Sequence, residues 1–299
     1  MKVLVTGGSG ILGQYLNIEL SKNFEMLTTY NNNVGNCEDF YSKELDITNT
    51  ERLEEIFADF QPECVLHLAA ISRPADCEVA GRERVMEVNV EATKNIARLC
   101  HKFGAKLIFT STELVYDGEQ GFYLAEHSKL NPVSLYAESK LMAEQKIKET
   151  FDNYIILRTS LLFGIVFSTG QSSFDRMYRD LRINKSVELF FNQYRTPLST
   201  LDASRLLVEL LKKDIATETV NFGGPERVSR LELGKVLCEV ANLDKELLVR
   251  TSMYNSETAN AVRDVSFNTE RFQRFGIKQK GLNTAMRELI TFAENITLM

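Results

Sequence analysis

The chain has 299 residues, of which 44% are hydrophobic and 25% charged, proportions typical of a soluble protein with a substantial core. Its net charge is −6 and no basic block stands out, which argues against a nucleic-acid-binding surface. Five cysteines without a C-x-x-C pair favour reduced thiols over a disulfide or zinc framework, so we expect no metal site. The N-terminal apolar run is too short for a signal peptide and no stretch could span a bilayer, which predicts a cytoplasmic protein without a membrane partner.

The first thirteen residues predict a turn that binds a dinucleotide. Lys2 to Thr6 have the consecutive apolar residues of a buried strand, and a helical pattern begins at Leu12. Between them, Gly7 permits a tight turn, Gly10 removes a side chain that would block a diphosphate, and Gly13 lets helix and strand approach. The N–H groups at the start of the helix then face the anion. The flanking strand and helix favour this site over a flexible turn.

The first half of the chain alternates strands with helices. After the N-terminal strand and helix, strands are predicted at 24–30, 44–47, 64–70, 106–110 and 154–158, and helices at 51–60, 78–103 and 135–150. Thr48 or Asn49 would begin the helix at 51–60. Such alternation implies parallel strands with right-handed crossovers, hence an α/β fold with a doubly wound parallel sheet of the Rossmann type.

The second half is less regular. Strands are predicted near 187–191 and at 219–222, and helices at 173–183, 202–213, 231–241, 269–275 and 282–295. We therefore predict an NAD(P)-binding domain over 1–160, to which about 195–222 return. Residues 161–194 and 223–299 would form a smaller α/β lobe that binds the substrate.

A tyrosine and a threonine are candidates for proton chemistry. Among ten tyrosines only Tyr136 has a lysine four residues later, and this spacing puts Lys140 on the same helix face. A nearby ammonium would lower the phenol pKa and make Tyr136 a usable acid or base. Thr112 follows the strand at 106–110, at the sheet edge where ligands bind, and could hydrogen-bond a carbonyl oxygen. From the residues alone, an incidental surface pair and a turn hydroxyl are the alternatives.

Several motifs together resemble the extended short-chain dehydrogenase/reductase family, and within it the dTDP-4-dehydrorhamnose reductase and sugar-nucleotide-binding group. They span nearly the whole chain: TGGSGILG at 6–13, Asp46-Ile47, HLAA at 67–70, Asn89, STELVYDG at 111–118, YAESK at 136–140, RTSLLFG at 158–164, YRTP at 194–197, NFGGPERVSRLEL at 221–233 and VRDVSFNT at 262–269.

The resemblance implies an oxidoreductase in which Tyr136 protonates the C4 oxygen of a sugar, Thr112 polarises the carbonyl and Lys140 lowers the phenol pKa and holds the nicotinamide ribose. Substrate contacts are expected from Glu113, Val115, Arg195 and Arg263, with the two arginines on the nucleotide diphosphate; for Arg263 an ordinary surface role is the alternative. Expected cofactor contacts are Gly7, Ser9, Gly10, Ile11, Leu12, Gly13, Tyr30, Asn31, Asp46, Ile47, Leu68, Ala69, Ala70, Asn89, Tyr136 and Lys140.

The cofactor preference rests on the end of the second strand. Tyr30 to Asn33 offer no carboxylate for a ribose 2′-hydroxyl, which weakens the case for NAD(H). No basic residue lies between Lys22 and Lys43 to meet a 2′-phosphate. NADP(H) is the favoured cofactor and NAD(H) the alternative.

Three functions follow as hypotheses. The first is a reductase of a nucleotide-activated 4-keto-6-deoxysugar, as in dTDP-rhamnose and polysaccharide biosynthesis. The group usually has aspartate where Glu113 stands, and Leu114 breaks the acidic pair of related dehydratases, which disfavours dehydration. The second is a non-catalytic NADP-binding subunit, because the regulatory beta subunit of methionine adenosyltransferase is similar in the same motifs, including a stretch near Gln193–Pro197. The third is a nucleotide-sugar epimerase. Homodimers are common in the family.

Overall fold

The structure is a computed structural model that describes residues 1–168, 172–255 and 262–297. Its strands are β1 (Lys2–Thr6), β2 (Glu25–Tyr30), β3 (Ser42–Glu44), β4 (Cys64–His67), β5 (Lys106–Thr112), β6 (Tyr154–Thr159), β7 (Leu162–Phe163), β8 (Val187–Phe190), β9 (Tyr194–Arg195), β10 (Leu198–Ser199), β11 (Glu218–Phe222), β12 (Val228–Ser229) and β13 (Leu248–Thr251). Its helices are α1 (Ile11–Leu20), α2 (Thr50–Phe60), α3 (Pro74–Met86), α4 (Ala92–Phe103), α5 (Leu135–Thr150), α6 (Ser173–Arg182), α7 (Thr200–Leu211), α8 (Arg230–Ala241), α9 (Glu270–Arg274) and α10 (Leu282–Thr297).

Seven strands form one parallel sheet in the order β11-β6-β5-β4-β1-β2-β3. One apolar layer, built with α2, α4 and α5, covers one face, and a second layer, built with α1 and α7, covers the other. Burial on both faces explains why the strands have continuous apolar runs instead of alternating ones. The predicted α/β doubly wound fold is confirmed.

The strand predicted at 44–47 is wrong in its bounds. The backbone pairs with β2 only over Ser42–Glu44, and the chain then turns because the Asp46 carboxylate accepts hydrogen bonds from the Thr48 N–H and hydroxyl at 2.9 and 2.8 Å. The next helix begins at Thr50, with Asn49 as its cap. Leu45 is nevertheless buried, so the apolar pattern marked a core position rather than a paired strand.

The single helix predicted at 78–103 is also wrong. Gly81 interrupts α3 with a φ of +79°, and a π-helical turn at Glu87–Glu91 separates α3 from α4. The π turn places Asn89 inward, where it makes the contacts described below. An apolar spacing alone does not distinguish a π turn from a regular α-helix.

Short strands pair with one another within the irregular second half, in three two-stranded sheets. β10 pairs with β7, β9 with β12 and β8 with β13, and none of the two-residue strands was predicted. A third apolar cluster lies among α6, α8 and α10. Within this half β11 returns to the main sheet beside β6. The division into a domain at 1–160 and a separate lobe stays a prediction. No helix among the described residues is long and apolar enough to cross a bilayer.

Candidate active site

Two cavities lie along the carboxyl ends of β1, β4 and β5 and share Gly7, Gly10, Leu68, Ala70 and Ser72. Their volumes are about 330 and 410 Å³. Together they form an elongated cleft at the edge of a parallel sheet, where such folds bind ligands. All the expected cofactor contacts except Asn89 line this cleft. Those in the first cavity are Gly7, Gly10, Ile11, Leu12, Gly13, Leu68, Ala70, Tyr136 and Lys140. The second cavity is lined by Ser9, Tyr30, Asn31, Asp46, Ile47 and Ala69, and also by Gly7, Gly10, Leu68 and Ala70.

The glycine turn lets backbone segments approach more closely than side chains would permit. Gly7 has a φ of +75°, a conformation that side chains disfavour, and a Cβ there would lie 2.7 Å from the backbone nitrogen of Ala69. A Cβ on Gly13 would lie 2.6 Å from the Gly7 carbonyl oxygen, so helix α1 could not approach β1 as it does. Both roles predicted for these glycines are therefore visible in the backbone.

Asn89 lies behind the cleft wall instead of lining it. Its side-chain oxygen accepts from the Ile71 N–H at 2.9 Å, and its nitrogen donates to the Ile71 carbonyl at 3.1 Å and to Ser139 at 3.0 Å. The structure thus places it as a buried brace between the loop after β4 and helix α5. Direct contact with a cofactor is not what this geometry favours.

The second cavity is lined by a positively charged side chain that was not predicted from the sequence. Arg84, from helix α3, lines it beside Tyr30 and Asn31. Its guanidinium contacts Asp46 at 3.3 Å and Glu87 at 2.7 Å. Burial acts to raise the pKa of Asp46, but hydrogen bonds from Thr48 and Arg84 lower it overall. Because Arg84 comes from a different element, a search restricted to the residues after β2 could not find it.

Thr112, Tyr136 and Lys140 meet in the wall of the first cavity. The Thr112 hydroxyl accepts a hydrogen bond from the Leu114 N–H at 3.2 Å and lies near enough to the Tyr136 phenol to act on its pKa. Lys140 is buried, with its Nζ 4.1 Å from the centre of the Phe109 ring. Thr112 therefore caps the turn that follows β5, as the alternative interpretation expected, and it also lies beside Tyr136 in the cavity wall.

The expected lowering of the Tyr136 pKa by Lys140 is not found in this structure. Burial disfavours the phenolate and raises the pKa of Tyr136 to about 12, while the nearby Thr112 hydroxyl acts in the opposite direction. Burial also disfavours the ammonium and lowers the pKa of Lys140 to about 7, against the raising effect of Glu144 one turn along α5. A lysine that is easily deprotonated offers little positive charge to a neighbouring phenol.

Glu113 and Arg195 form a buried ion pair. Arg195 Nε lies 2.7 Å from one carboxylate oxygen of Glu113, and the other oxygen accepts from Ser160 and from the Leu161 N–H at 3.0 Å. Burial raises the pKa of Glu113 although Arg195 acts to lower it. Both residues were expected to contact substrate, yet the structure directs them mainly at each other.

Two other expected substrate contacts lie away from the described cavities. Val115 is fully buried in an apolar cluster with Tyr116 and Val265. Arg263 is exposed, and its carbonyl oxygen accepts from the Tyr194 N–H at 2.8 Å. Val115 is a core residue here, and Arg263 is a surface arginine in this arrangement.

A further cavity of about 160 Å³ adjoins the first one, because Leu161 and Leu162 line both. We call it the distal cavity; the other residues lining it are Phe163, Ser173, Phe174, Met177, Glu188, Leu189, Phe190, Gln193, Arg230 and Leu233. Arg230 begins α8, and its Nε donates to Gln193 at 3.1 Å. Burial, with Arg195 nearby, lowers the pKa of Arg230 to about 10. Arg230 was not predicted from the sequence, because the pairing of two-residue strands brings it to the site.

The model of the RmlD substrate binding domain family matches residues 1–293. A crystal structure of dTDP-4-dehydrorhamnose reductase from Bacillus anthracis str. Ames, in complex with NADP, is similar in fold, with a TM-score of 0.85 and 22% identity over 97% of this chain and 99% of that one. A hypothetical dTDP-4-dehydrorhamnose reductase from Sulfolobus tokodaii has a TM-score of 0.79 and 29% identity, covering 92% of this chain and 94% of that one. The methionine adenosyltransferase 2 subunit beta of Bos taurus is 25% identical over 288 residues, which are 93% of this chain and 84% of that protein.

Proposed function

Because the chain belongs to the RmlD substrate binding domain family, we propose that it is an NAD(P)H-dependent reductase of a nucleotide-activated 4-keto-6-deoxysugar. The observation that carries the proposal is that Thr112, Tyr136 and Lys140 line one cavity together with the glycine turn. A carbonyl in this cavity would find a hydroxyl donor and a proton donor on one side. Hydride transfer to a carbonyl needs that combination. The product would be a deoxysugar nucleotide for polysaccharide synthesis.

Side chains of the protein would supply the proton that the C4 oxygen receives. A bound reduced nicotinamide supplies the hydride. Tyr136, with a pKa near 12, is protonated at neutral pH and is therefore a donor, and an alkoxide formed at C4 is basic enough to take its proton. Thr112 orients the oxygen through its hydroxyl. Lys140, with a pKa near 7, can gain a proton from solvent and return it toward Tyr136 after each turnover.

We propose NADP(H) as the preferred cofactor, with NAD(H) as the alternative. The end of β2 lacks a carboxylate that would repel a 2′-phosphate. Arg84 lines the same cavity and could turn from its two acidic partners toward such a group. The preference is measured directly as the ratio of kcat/KM for NADPH and NADH, and a ratio below one would reverse our assignment.

The reductase is tested by loss of the 340-nm absorbance of NADPH with a panel of dTDP-, UDP- and GDP-linked 4-keto-6-deoxysugars. Tyr136→Phe should nearly abolish turnover, whereas Tyr41→Phe, at an exposed tyrosine, should not change it. Product without net oxidation of cofactor would indicate an epimerase instead. The absence of any reaction across the panel would refute both.

The second candidate is a non-catalytic NADP-binding regulatory subunit. It is favoured by the 25% identity to methionine adenosyltransferase 2 subunit beta along most of both chains. Retention of Tyr136 and Lys140 does not separate the two functions, because a regulatory subunit can keep them. Purification of the tagged chain from its source cells distinguishes the two. A stoichiometric synthetase partner, together with no turnover in the sugar panel, would establish the regulatory function.

A further inference from the structure

We propose that Arg230, and not Arg195, is the arginine that binds the phosphate groups of the substrate, at the junction between the first cavity and the distal cavity. This inference rests on the proposed function, since it assigns a residue to the anionic part of a nucleotide-linked substrate. It differs from the expectation drawn from sequence, which gave that task to Arg195 and Arg263. Three features of the site support it: the contacts of Arg195, the charge balance and the position of Arg230.

The guanidinium of Arg195 is already satisfied within the protein. Its Nε pairs with Glu113 at 2.7 Å, its Nη1 donates to the Tyr194 carbonyl at 2.6 Å, and its Nη2 donates to the Val262 carbonyl at 3.1 Å. Only about 5% of the residue is exposed. A phosphate could bind this group only after breaking a buried ion pair, which would leave the Glu113 carboxylate uncompensated.

Arg230 has the opposite pattern of contacts. Within the described part of the chain its guanidinium makes one hydrogen bond, from Nε to Gln193, so the two terminal nitrogens have no protein acceptor. The side chain lines the distal cavity, beside the leucines that also line the first one. These terminal nitrogens form the fork that binds two oxygens of a phosphate or diphosphate at once.

The charge balance leaves one positive charge to be neutralised. Arg195 and Arg230 both lie close enough to Glu113 to act on its charge, and Arg195 also acts on Arg230. Two guanidiniums therefore share a single buried carboxylate. Glu188 lines the same cavity but is exposed, so water screens most of its effect. The lowered pKa of Arg230 agrees with a cation that lacks a full counter-charge.

The position of Arg230 suits a substrate that extends from the catalytic groups. Pairing of β9 with β12 sets Val228 opposite Arg195, so that Arg230 follows at the start of α8. Glu113 directly follows Thr112 in the chain. The ion pair of Glu113 and Arg195, with Arg230 near it, therefore lies beside the part of the first cavity that contains Thr112 and Tyr136. A sugar beside Tyr136 would therefore have its phosphates near Arg230, and an attached group could occupy the distal cavity with its apolar walls.

The test measures binding of dTDP, UDP and GDP by calorimetry to protein saturated with NADP⁺, which prevents binding at the glycine turn. Loss of one charged hydrogen-bonding group predicts that Arg230→Gln weakens the tightest of these about 10- to 100-fold. Arg230→Lys should recover part of the affinity, because it restores the charge but not the fork. Arg287→Gln, which removes an exposed arginine of α10, is the matched control and should bind as wild type does.

Stability separates a binding role from a structural one. Without ligand, Arg230→Gln should melt at the same temperature as wild type or higher, because it removes a half-buried charge that has no full partner. Binding within twofold of wild type, a lower melting temperature or a parallel loss of NADP⁺ affinity would each overturn the proposal. Failure of wild type to bind any of the three diphosphates would overturn it as well. The proposed reductase activity is judged separately, by turnover in the sugar panel.

Discussion

Replacing Lys140 with methionine should make the protein more stable at pH 6, although this residue is assigned to catalysis. Burial lowers the pKa of Lys140 from its ordinary value to about 7. The folded state must therefore bury a poorly compensated ammonium at low pH, whereas the unfolded chain exposes it to water. Methionine is apolar and of similar length, so it can occupy the same space beside Phe109 without that cost.

The size of the effect follows from the pKa difference between the two states. At about 1.4 kcal/mol per pH unit, protonating Lys140 at pH 6 costs the folded state about 4–5 kcal/mol. Loss of the contact between the ammonium and Phe109, with small changes in packing, removes about 1–2 kcal/mol of that gain. We therefore expect Lys140→Met to be more stable than wild type by about 3 kcal/mol at pH 6.

The pH dependence has a definite sign. Between about pH 7 and 10.5 the unfolded chain binds more protons at this lysine than the folded chain does, so wild-type stability rises with pH there. The advantage of Lys140→Met should shrink through this range and vanish near pH 9–10. Urea unfolding at several pH values measures it. Lys146→Met, at a partly exposed lysine of the same helix, is the control and should show little change. A variant less stable than wild type at pH 6, or a difference independent of pH, would refute the reasoning.

Three further predictions concern residues that support the cleft or lie on the elements around it. Gly13→Ala should lower stability by about 1–3 kcal/mol and weaken NADP⁺ binding, because its Cβ would lie 2.6 Å from the Gly7 carbonyl oxygen; calorimetric titration and urea unfolding measure both. Glu144→Gln should cost about 3–5 kcal/mol in urea unfolding, because the carboxylate lies 2.9 Å from the buried Arg158 guanidinium. Asn89→Ala should cost about 1–3 kcal/mol and raise the KM for the cofactor with little change in kcat.

Each of these has an outcome that contradicts it. Tight NADP⁺ binding by Gly13→Ala would mean that the turn tolerates a methyl group. A Glu144→Gln protein as stable as wild type would show that Arg158 finds another partner. If Asn89→Ala lowered kcat and left KM unchanged, the brace would act on the reacting groups instead of the cofactor cleft.

Local patterns predicted the cofactor half well because its elements are long and each is buried in a regular way. Apolar runs marked the central strands, and the helix at 135–150 has the predicted bounds. The glycine turn could be predicted because it needs only neighbouring residues. The break at Gly81 and the π turn could not, since the tertiary contacts of Asn89 stabilise a geometry that spacing alone does not encode.

The substrate side was harder to predict because its contacts join distant parts of the chain. Arg195 lies at a position where the family uses an arginine to bind substrate. The residues next to it in sequence did not show that its guanidinium would pair with Glu113, 82 positions earlier. Arg230 is one arginine among many until β9 and β12 pair. The pKa values depend on burial of whole side chains, which is why the lowering of the Tyr136 pKa expected from Lys140 is not found and the phenol pKa is raised by burial instead.

The distribution of the cleft residues along the chain bears on how such a protein diverges. The glycine turn and the groups around Tyr136 lie within the first 160 residues, whereas Arg230 begins helix α8, directly after a short strand that pairs with β9. On the proposed role of Arg230, a substitution at the start of α8 would alter which anion is accepted without changing the glycine turn or the residues around Tyr136. Descendants of one ancestral gene could then acquire different substrates, or lose turnover and keep nucleotide binding, by changes confined to this second half.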